Sequence, residues 1–235
     1  MSGSILEPDR GHAALTLNGA ALLADLSGAI TWPAQRLLAV ADLHLEKGSA
    51  FAVRGRLLPP YDTAATLARL EAVIDAHRPE TVICLGDSFH DIGAAGRLGA
   101  LDAQRLAGLT QAVDWIWIAG NHDPAPPTLL GGRTMREFRR GPLVFRHIAE
   151  NGLVVGEVSG HFHPKAGFSW RGRRVGGRCF IGDARRLILP AFGAYAGGLD
   201  VRHPAIAALF GRSARIHILG RKRLHSFAAG QIAAV

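Results

Sequence analysis

Cysteine is almost missing from this chain: Cys84 and Cys179 are the only two in 235 residues. Neither has a partner at metal or redox spacing, which excludes a disulfide framework and a thiolate metal site. Both thiols are expected to be reduced and structural. Long apolar runs are missing as well. Residues 37–41 are cut short by Asp42 and His44, well below the ~20 residues a membrane span needs. Residues 1–12 carry Glu7, Pro8 and Asp9 and lack both a basic stretch and an apolar core, so no secretory leader is expected and the cytoplasm is the expected compartment. No fixed-period repeat, low-complexity segment or linker breaks the chain, and a single domain over 1–235 is expected. Hydrophobic residues at 48% against 20% charged are enough to build a core, which argues against a long disordered tail.

Acidic residues are scarce in the last third. Residues 1–164 hold 14 basic and 17 acidic side chains, a net −3, whereas 165–235 hold 13 and 2, a net +11. The basic residues cluster as Arg171, Arg173 and Arg174, then Arg178, Arg185 and Arg186, then Arg212, Arg215, Arg221, Lys222 and Arg223. Such a concentration is the electrostatic footprint of a polyanion site, and a solvated arginine-rich rim produces the same pattern. Charge alone does not separate the two.

Apolar periodicity predicts the elements. Asn18-Gly19 between apolar residues 13–17 and 20–24 predicts a hairpin. A short strand follows at 29–32, and a buried strand at 37–41 ends in Asp42. Asp62 is the expected N-cap of a helix, with Ala64, Leu67, Leu70 and Ile74 at helical spacing up to Pro79. Further strands are expected at 81–85 and 115–119, a helix at 97–108, and a loop at 93–97. Trp115 and Trp117 alternate with isoleucines and are expected to pack in the sheet. Strand, polar tip and helix alternate three times, an α/β pattern that gathers ligands at the carboxyl ends of the strands. From Thr134 onward short strands dominate, at 143–146, 154–159, 179–181, 187–189 and 216–219, and predict a second, mostly antiparallel sheet.

Five polar tips follow these strands in order: Asp42-x-His44, Gly86-Asp87, Gly120-Asn121-His122-Asp123, His147, and Gly160-His161-x-His163. Carboxylate, amide and imidazole donors without thiolates suit Mn, Fe or Zn rather than Ca or an iron–sulfur centre. Strand alternation would put Asp42 and His44 on one side, where both could grip one ion, and the same parity holds for His161 and His163.

This ordered set resembles the calcineurin-like metallophosphoesterases, whose pattern is D-x-H, G-D, G-N-H-[DE], a lone H, then G-H-x-H. Within that superfamily, Ala41-Asp42-Leu43-His44-Leu45-Glu46-Lys47-Gly48, Leu58-Pro59-Pro60-Tyr61-Asp62-Thr63, Gly160-His161-Phe162-His163-Pro164 and Leu189-Pro190-Ala191-Phe192-Gly193 resemble the ligase-associated DNA damage response endonucleases. The resemblance implies two packed mixed β-sheets flanked by helices. It implies two divalent transition-metal ions, manganese first with iron or zinc as alternatives. Asp42, His44, Asp87 and His163 would hold one ion and Asp87, Asn121, His147 and His161 the other, with Asp87 bridging. A hydroxide shared by the two ions would attack phosphorus in line. His122 resembles the family's acid for the leaving oxygen, and Asp123 is expected to fix its tautomer.

Gly86-Asp87-Ser88-Phe89-His90-Asp91 departs from the Ser/Thr phosphoprotein phosphatases, which carry an arginine there to clamp a phosphate monoester. His90 could meet substrate or be structural. Glu46 and Lys47 could reach a substrate or pair with each other at the surface. Tyr195 or Phe192 could stack on a base within a mobile lip or belong to a plain turn, and Arg171 and Arg173 could contact a phosphate backbone. The function expected is therefore a two-metal phosphodiesterase or endonuclease acting on DNA in repair. A phosphatase or nucleotide pyrophosphohydrolase on a small substrate is the first alternative, and a catalytically silent interaction module for repair proteins the second. The resemblance also implies an ATP-dependent DNA ligase, a helicase and an exonuclease as company.

Overall fold

The computed structural model describes residues 11–125, 128–170, 173–211 and 213–231. The chain opens with β1 (His12–Leu17) and β2 (Ala20–Asp25), joined by Asn18 and Gly19, both at positive φ as a tight hairpin turn demands. β3 (Ile30–Trp32), β4 (Leu37–Val40), α1 (Lys47–Val53), α2 (Asp62–His77) and β5 (Thr81–Leu85) follow, then α3 (Ala94–Arg97), α4 (Ala100–Ala112), β6 (Asp114–Ile118) and β7 (Arg133–Met135). Strands β1 to β7 lie in chain order in one sheet, antiparallel from β1 to β4 and parallel from β4 to β7. The rest of the chain supplies β8 (Glu137–Arg140), β9 (Leu143–Arg146), β10 (Glu157–Ser159), β11 (Lys165–Trp170), β12 (Arg173–Gly182), β13 (Arg186–Ile188), α5 (Pro204–Ala207), β14 (Arg215–Leu219) and β15 (Leu224–Ala228). These form a second sheet in the order β15-β14-β12-β13-β10-β9-β8, with β11 folded onto β12. It is mixed: β10 runs parallel to β9 and β13, and the sheet's other pairings are antiparallel.

Strand alternation sorts the apolar residues into three cores. Leu37, Ala39, Ile83, Leu85, Ile116 and Ile118 face the second sheet and meet Phe145, Val158, Phe180 and Leu187 there. Leu38, Val40, Val82, Cys84, Trp115 and Trp117 point the other way, onto Leu67, Leu70 and Val73 of α2 and Leu106 of α4. Cys179, Ile181, Ile216 and Ile218 cover the outer face of the second sheet with Ile206 and Leu209. Each fully buried aliphatic side chain contributes about 1.5–3 kcal/mol. Both tryptophans are sheet packing, as expected, and both cysteines are free and buried.

Several boundaries differ from the sequence reading. Residues 94–97 form a helical turn rather than a loop, because the Arg97 guanidinium grips both Asp91 oxygens at 2.8 Å while the Gly93 amide donates to Asp91 Oδ1. Gly99, with extended backbone, then interrupts the expected 97–108 helix, and α4 begins afresh at Ala100. Asp62 is the first residue of α2 rather than its cap, and its Oδ2 accepts from the Gly48 amide at 2.9 Å, tying α1 to α2. Among the described residues no helix is long and apolar enough to cross a membrane.

Candidate metal centre

Five buried strands end at one place. Loops after β4, β5, β6, β9 and β10 deliver Asp42 and His44, Asp87, Asn121 and His122, His147, and His161 and His163. Strand alternation is not what aligns Asp42 with His44, because β4 ends at Val40 and the chain beyond it is no longer extended. Asp42 and His44 instead sit at φ 55° and 45°, while Leu43 and Leu45 between and after them are buried in the core beneath α2. Asp87, His161 and His163 also have left-handed backbone, at φ 46°, 69° and 47°. Each such residue costs about 1–3 kcal/mol and persists only where its surroundings over-determine it. Here the lacing is visible: the amides of Asp42 and His44 donate to the carbonyls of Gly86 and Asp87, and the amides of Phe192 and Gly193 to those of Ala41 and Asp42.

Two glycines make the approach possible. Gly86 has φ +77°, and a Cβ there would lie 2.4 Å from His147 Nδ1; a Cβ on Gly120 would lie 2.2 Å from both the amide nitrogen and Oδ1 of Asp87. The tips can converge only because both positions lack a side chain.

The donors fall into two groups, Asp42 with His44 and His163, and Asp87 with His147 and His161. In the first, His44 Nε2 and His163 Nε2 are 3.3 Å apart and His163 Nε2 is 3.3 Å from Asp42 Oδ1. That oxygen is buried without a hydrogen-bond donor, whereas Oδ2 accepts from the His161 amide at 2.9 Å. In the second group Asn121 Oδ1 lies 2.9 Å from His147 Nε2 and 3.0 Å from His161 Nδ1, and Asp87 Oδ2 lies 3.4 Å from His147 Nε2. His147 Nδ1 donates to the Leu85 carbonyl at 2.8 Å, which turns the Nε2 lone pair toward the centre. Tetrahedral donors about 2.0–2.1 Å from an ion stand about 3.3 Å apart, so an unpartnered carboxylate oxygen among imidazoles at this spacing fits a divalent cation.

Electrostatics favour the ligand forms of His44, Asp87 and His161, and hold a proton on His147 more tightly until a cation displaces it. Burial, then the neighbouring His163, push His44 down to about 2, so its imidazole is neutral. Burial alone would raise Asp87, but the His147 hydrogen bond and charge and the His122 amide outweigh it and bring the carboxyl down to about 2. Burial lowers His161 as well. For His147 the desolvation that would lower it is outweighed by Asp87 and Asp42, and its pKa rises. Asp123 moves the opposite way from Asp87: burial raises it to about 7.

At the mouth, the His122 side chain is 42% exposed and its Nε2 is 3.9 Å from Asp87 Oδ2. The expected partner of its ring is wrong. His122 Nδ1 donates to the His90 carbonyl at 2.8 Å, and the Asp123 carboxylate accepts instead from the Phe89 amide at 3.0 Å, bracing the loop after β5. His90 is buried, stacks on His122 at 5.3 Å and meets His44 edge-on at 5.5 Å. Sequence reasoning missed the His90 carbonyl, which no residue type could signal. It also missed Thr63, whose hydroxyl donates to Glu46 Oε1 at 2.9 Å, although its place in the first turn of α2 was readable. Glu46 and Lys47 do not form a surface pair: Lys47 is half-buried near His44 and His90, with burial lowering its pKa.

The other expected substrate residues are scattered. Phe192 is fully buried and cannot stack on a base, and the Tyr195 hydroxyl donates to the Pro59 carbonyl at 2.9 Å. Arg171 and Arg212 lie outside the described residues, and Arg173 starts β12 with its side chain undescribed. The basic third is not one free surface. Arg186 is buried against the Glu150 and Gly152 carbonyls, Arg178 donates to the Ala191 carbonyl, and Arg202 pairs with both Asp200 oxygens. Arg215 and the Arg221-Lys222-Arg223 turn are exposed.

The model of the calcineurin-like phosphoesterases matches residues 35–178. The crystal structure of Pseudomonas putida nuclease MPE is similar at a TM-score of 0.71 and 26% identity, over 92% of this chain and 100% of that one. The Escherichia coli phosphoesterase Yfce is similar at a TM-score of 0.43 and 14% identity, over 82% of this chain and 98% of its own. No curated protein sequence matches. The family match runs through every loop that carries one of the converging donors, and on that ground the chain belongs to the calcineurin-like phosphoesterases, metal-dependent hydrolases of phosphate esters.

Proposed function

We propose that this protein is a two-metal phosphodiesterase that cleaves DNA, in the cytoplasm and in the service of repair. Asp42, His44, Asp87 and His163 would hold one ion and Asp87, Asn121, His147 and His161 the second, with manganese the first choice on the motif resemblance and iron or zinc equally suited to the donors. Such ions supply Lewis acidity to the phosphoryl oxygens and lower the pKa of water. The chain's own work is positional. The His90 carbonyl holds the His122 ring by Nδ1–H, leaving Nε2 at the open mouth. Protonated there, Nε2 delivers its proton to the leaving oxygen as the P–O bond breaks, and recovers one from solvent.

The preference for a diester rests on one observation: the segment after Asp87 presents the His90 imidazole, not a guanidinium, beside His122. Arg97, which packs on this segment, is committed to Asp91 and to Ser49 Oγ at 3.0 Å. Lys47 offers a single point charge without the fork that grips two oxygens of a monoester dianion. Likeness to a nuclease over nearly the whole chain supports a nucleic-acid substrate. The exposed Arg221-Lys222-Arg223 turn is available for its backbone. Company with an ATP-dependent DNA ligase, a helicase and an exonuclease belongs to the same proposal and rests on the motif resemblance.

The test is hydrolysis of bis(p-nitrophenyl) phosphate and p-nitrophenyl phosphate by the manganese-loaded protein, side by side. Faster diester cleavage that chelator abolishes is the expected result. Monoester preference would replace the reading with a phosphatase.

A further inference from the structure

Beyond the five ligand loops, one more set of nitrogen and oxygen donors converges among the described residues. His12 opens β1, Asp25 closes β2 directly opposite it in the register, and His77 ends α2. Both histidines aim at one carboxylate oxygen: His12 Nε2 lies 2.9 Å and His77 Nε2 3.0 Å from Asp25 Oδ2. The rings stand edge to face, with centroids 5.4 Å apart and planes at 83°, so neither blocks the other's nitrogen. Asp25 Oδ1 accepts from the Ser27 amide at 2.7 Å, which fixes the carboxylate plane.

We infer that His12, Asp25 and His77 form a binding site for a divalent transition-metal ion of the zinc type, separate from the candidate catalytic centre, that pins the β1–β2 hairpin to the end of α2. Two imidazoles and a carboxylate are a borderline donor set that suits zinc and disfavours calcium or magnesium. Donors about 2.0–2.1 Å from zinc stand about 3.3 Å apart, so the two histidine–carboxylate distances need to open by only a few tenths of an ångström, and the three donor atoms already lie within 4.8 Å of one another. Without metal, each imidazole can satisfy the oxygen by donating its Nε2–H. With metal, each ring carries its proton on Nδ1 instead, and the two Nε2 lone pairs and the carboxylate oxygen point at the ion. The three donors sit on two paired strands and a helix end, which holds their spacing, and the Ser27 contact plays the part that outer hydrogen bonds play around metal ligands. Side-chain exposures of 28%, 15% and 19% leave the three residues partly open to solvent, which could supply a fourth ligand.

The experiment counts metal in the full chain after loading with zinc and desalting, for wild type, His77→Gln and His12→Gln. Each variant keeps an N–H donor for Asp25, and neither residue belongs to the catalytic donor set. Each variant is expected to hold one equivalent of zinc fewer than wild type, to gain less in Tm on zinc addition, and to lose a tetrahedral visible band of the cobalt-loaded protein. Circular dichroism confirms folding, and if one variant misfolds the other carries the test. Unchanged zinc content and an unchanged cobalt spectrum in a folded variant would overturn the site and leave a hydrogen-bonded triad. Diester hydrolysis is read separately, so loss of this site and loss of the proposed activity are distinguishable.

Discussion

Replacing His122 with alanine is expected to slow diester hydrolysis by about 10²–10⁴-fold while the metal content stays at the wild-type value. The hydrogen bond His122 makes to the donor set runs through its backbone amide, which donates to Asp87 Oδ1 at 2.8 Å, and alanine keeps that amide. What alanine removes is the ring that the His90 carbonyl orients toward the mouth. An acid matters most when the leaving oxygen is basic. The deficit should therefore be larger on DNA, whose leaving group is an alkoxide, than on bis(p-nitrophenyl) phosphate, whose phenolate departs readily unprotonated. Steady-state kcat on both substrates, with elemental analysis of the same samples, checks this. A uniform small loss, or metal lost along with activity, would assign His122 a structural role.

Gly120→Ala is expected to be the most damaging single methyl addition at the candidate centre. Its Cβ would sit 2.2 Å from the Asp87 amide nitrogen and Oδ1 and 2.6 Å from Asp123 Oδ1. Backbone and two buried carboxylates cannot move aside as the end of a flexible side chain can. Overpacking of this kind costs about 1–3 kcal/mol or more. In a chain of this size each kcal/mol lowers Tm by about 2–4 °C. Because the displaced group is Asp87, which stands among the donors, metal affinity should fall by at least the 10–100-fold typical of a disturbed supporting residue. Gly108→Ala is the control. Gly108 lies inside α4, and a methyl added there would meet nothing within 4 Å, so the same substitution should be neutral or raise stability by about 0.5–1 kcal/mol. Thermal melts of the two variants, with and without manganese, separate the effects.

The centre was legible because each donor follows an apolar strand at short spacing, and short spacings survive folding unchanged. The reason for their alignment was not. Asp42 and His44 share a side through paired left-handed backbone, a conformation held by hydrogen bonds to the segments after β5 and at 192–193 that no local pattern encodes. The buried strands around Ile83 and Ile116 were equally readable, since burial on both faces imposes continuous apolar residues, and the helix around Leu67 was readable from its helical spacing. Four strands were not. Arg133–Met135, Glu137–Arg140, Lys165–Trp170 and Leu224–Ala228 are held by ladder bonds to neighbours and carry arginine, glutamate, glycine and serine that read as loop. Partner choice was the third gap. Arg186 and Arg178 count as charge in the sequence but are spent on carbonyls in the fold, so a net +11 overstates the surface left for a polyanion.

DNA cleavage is tested most directly by nicking of covalently closed circular DNA with the manganese-loaded protein, with chelator-treated protein and Asp87→Asn run in parallel. Conversion to open circles by the loaded wild type alone is the predicted result, weakening as salt rises because neutralised phosphates release counterions. Circles left intact by a protein whose metal sites are filled would contradict a DNA-cleaving phosphodiesterase, as would nicking that Asp87→Asn leaves unchanged.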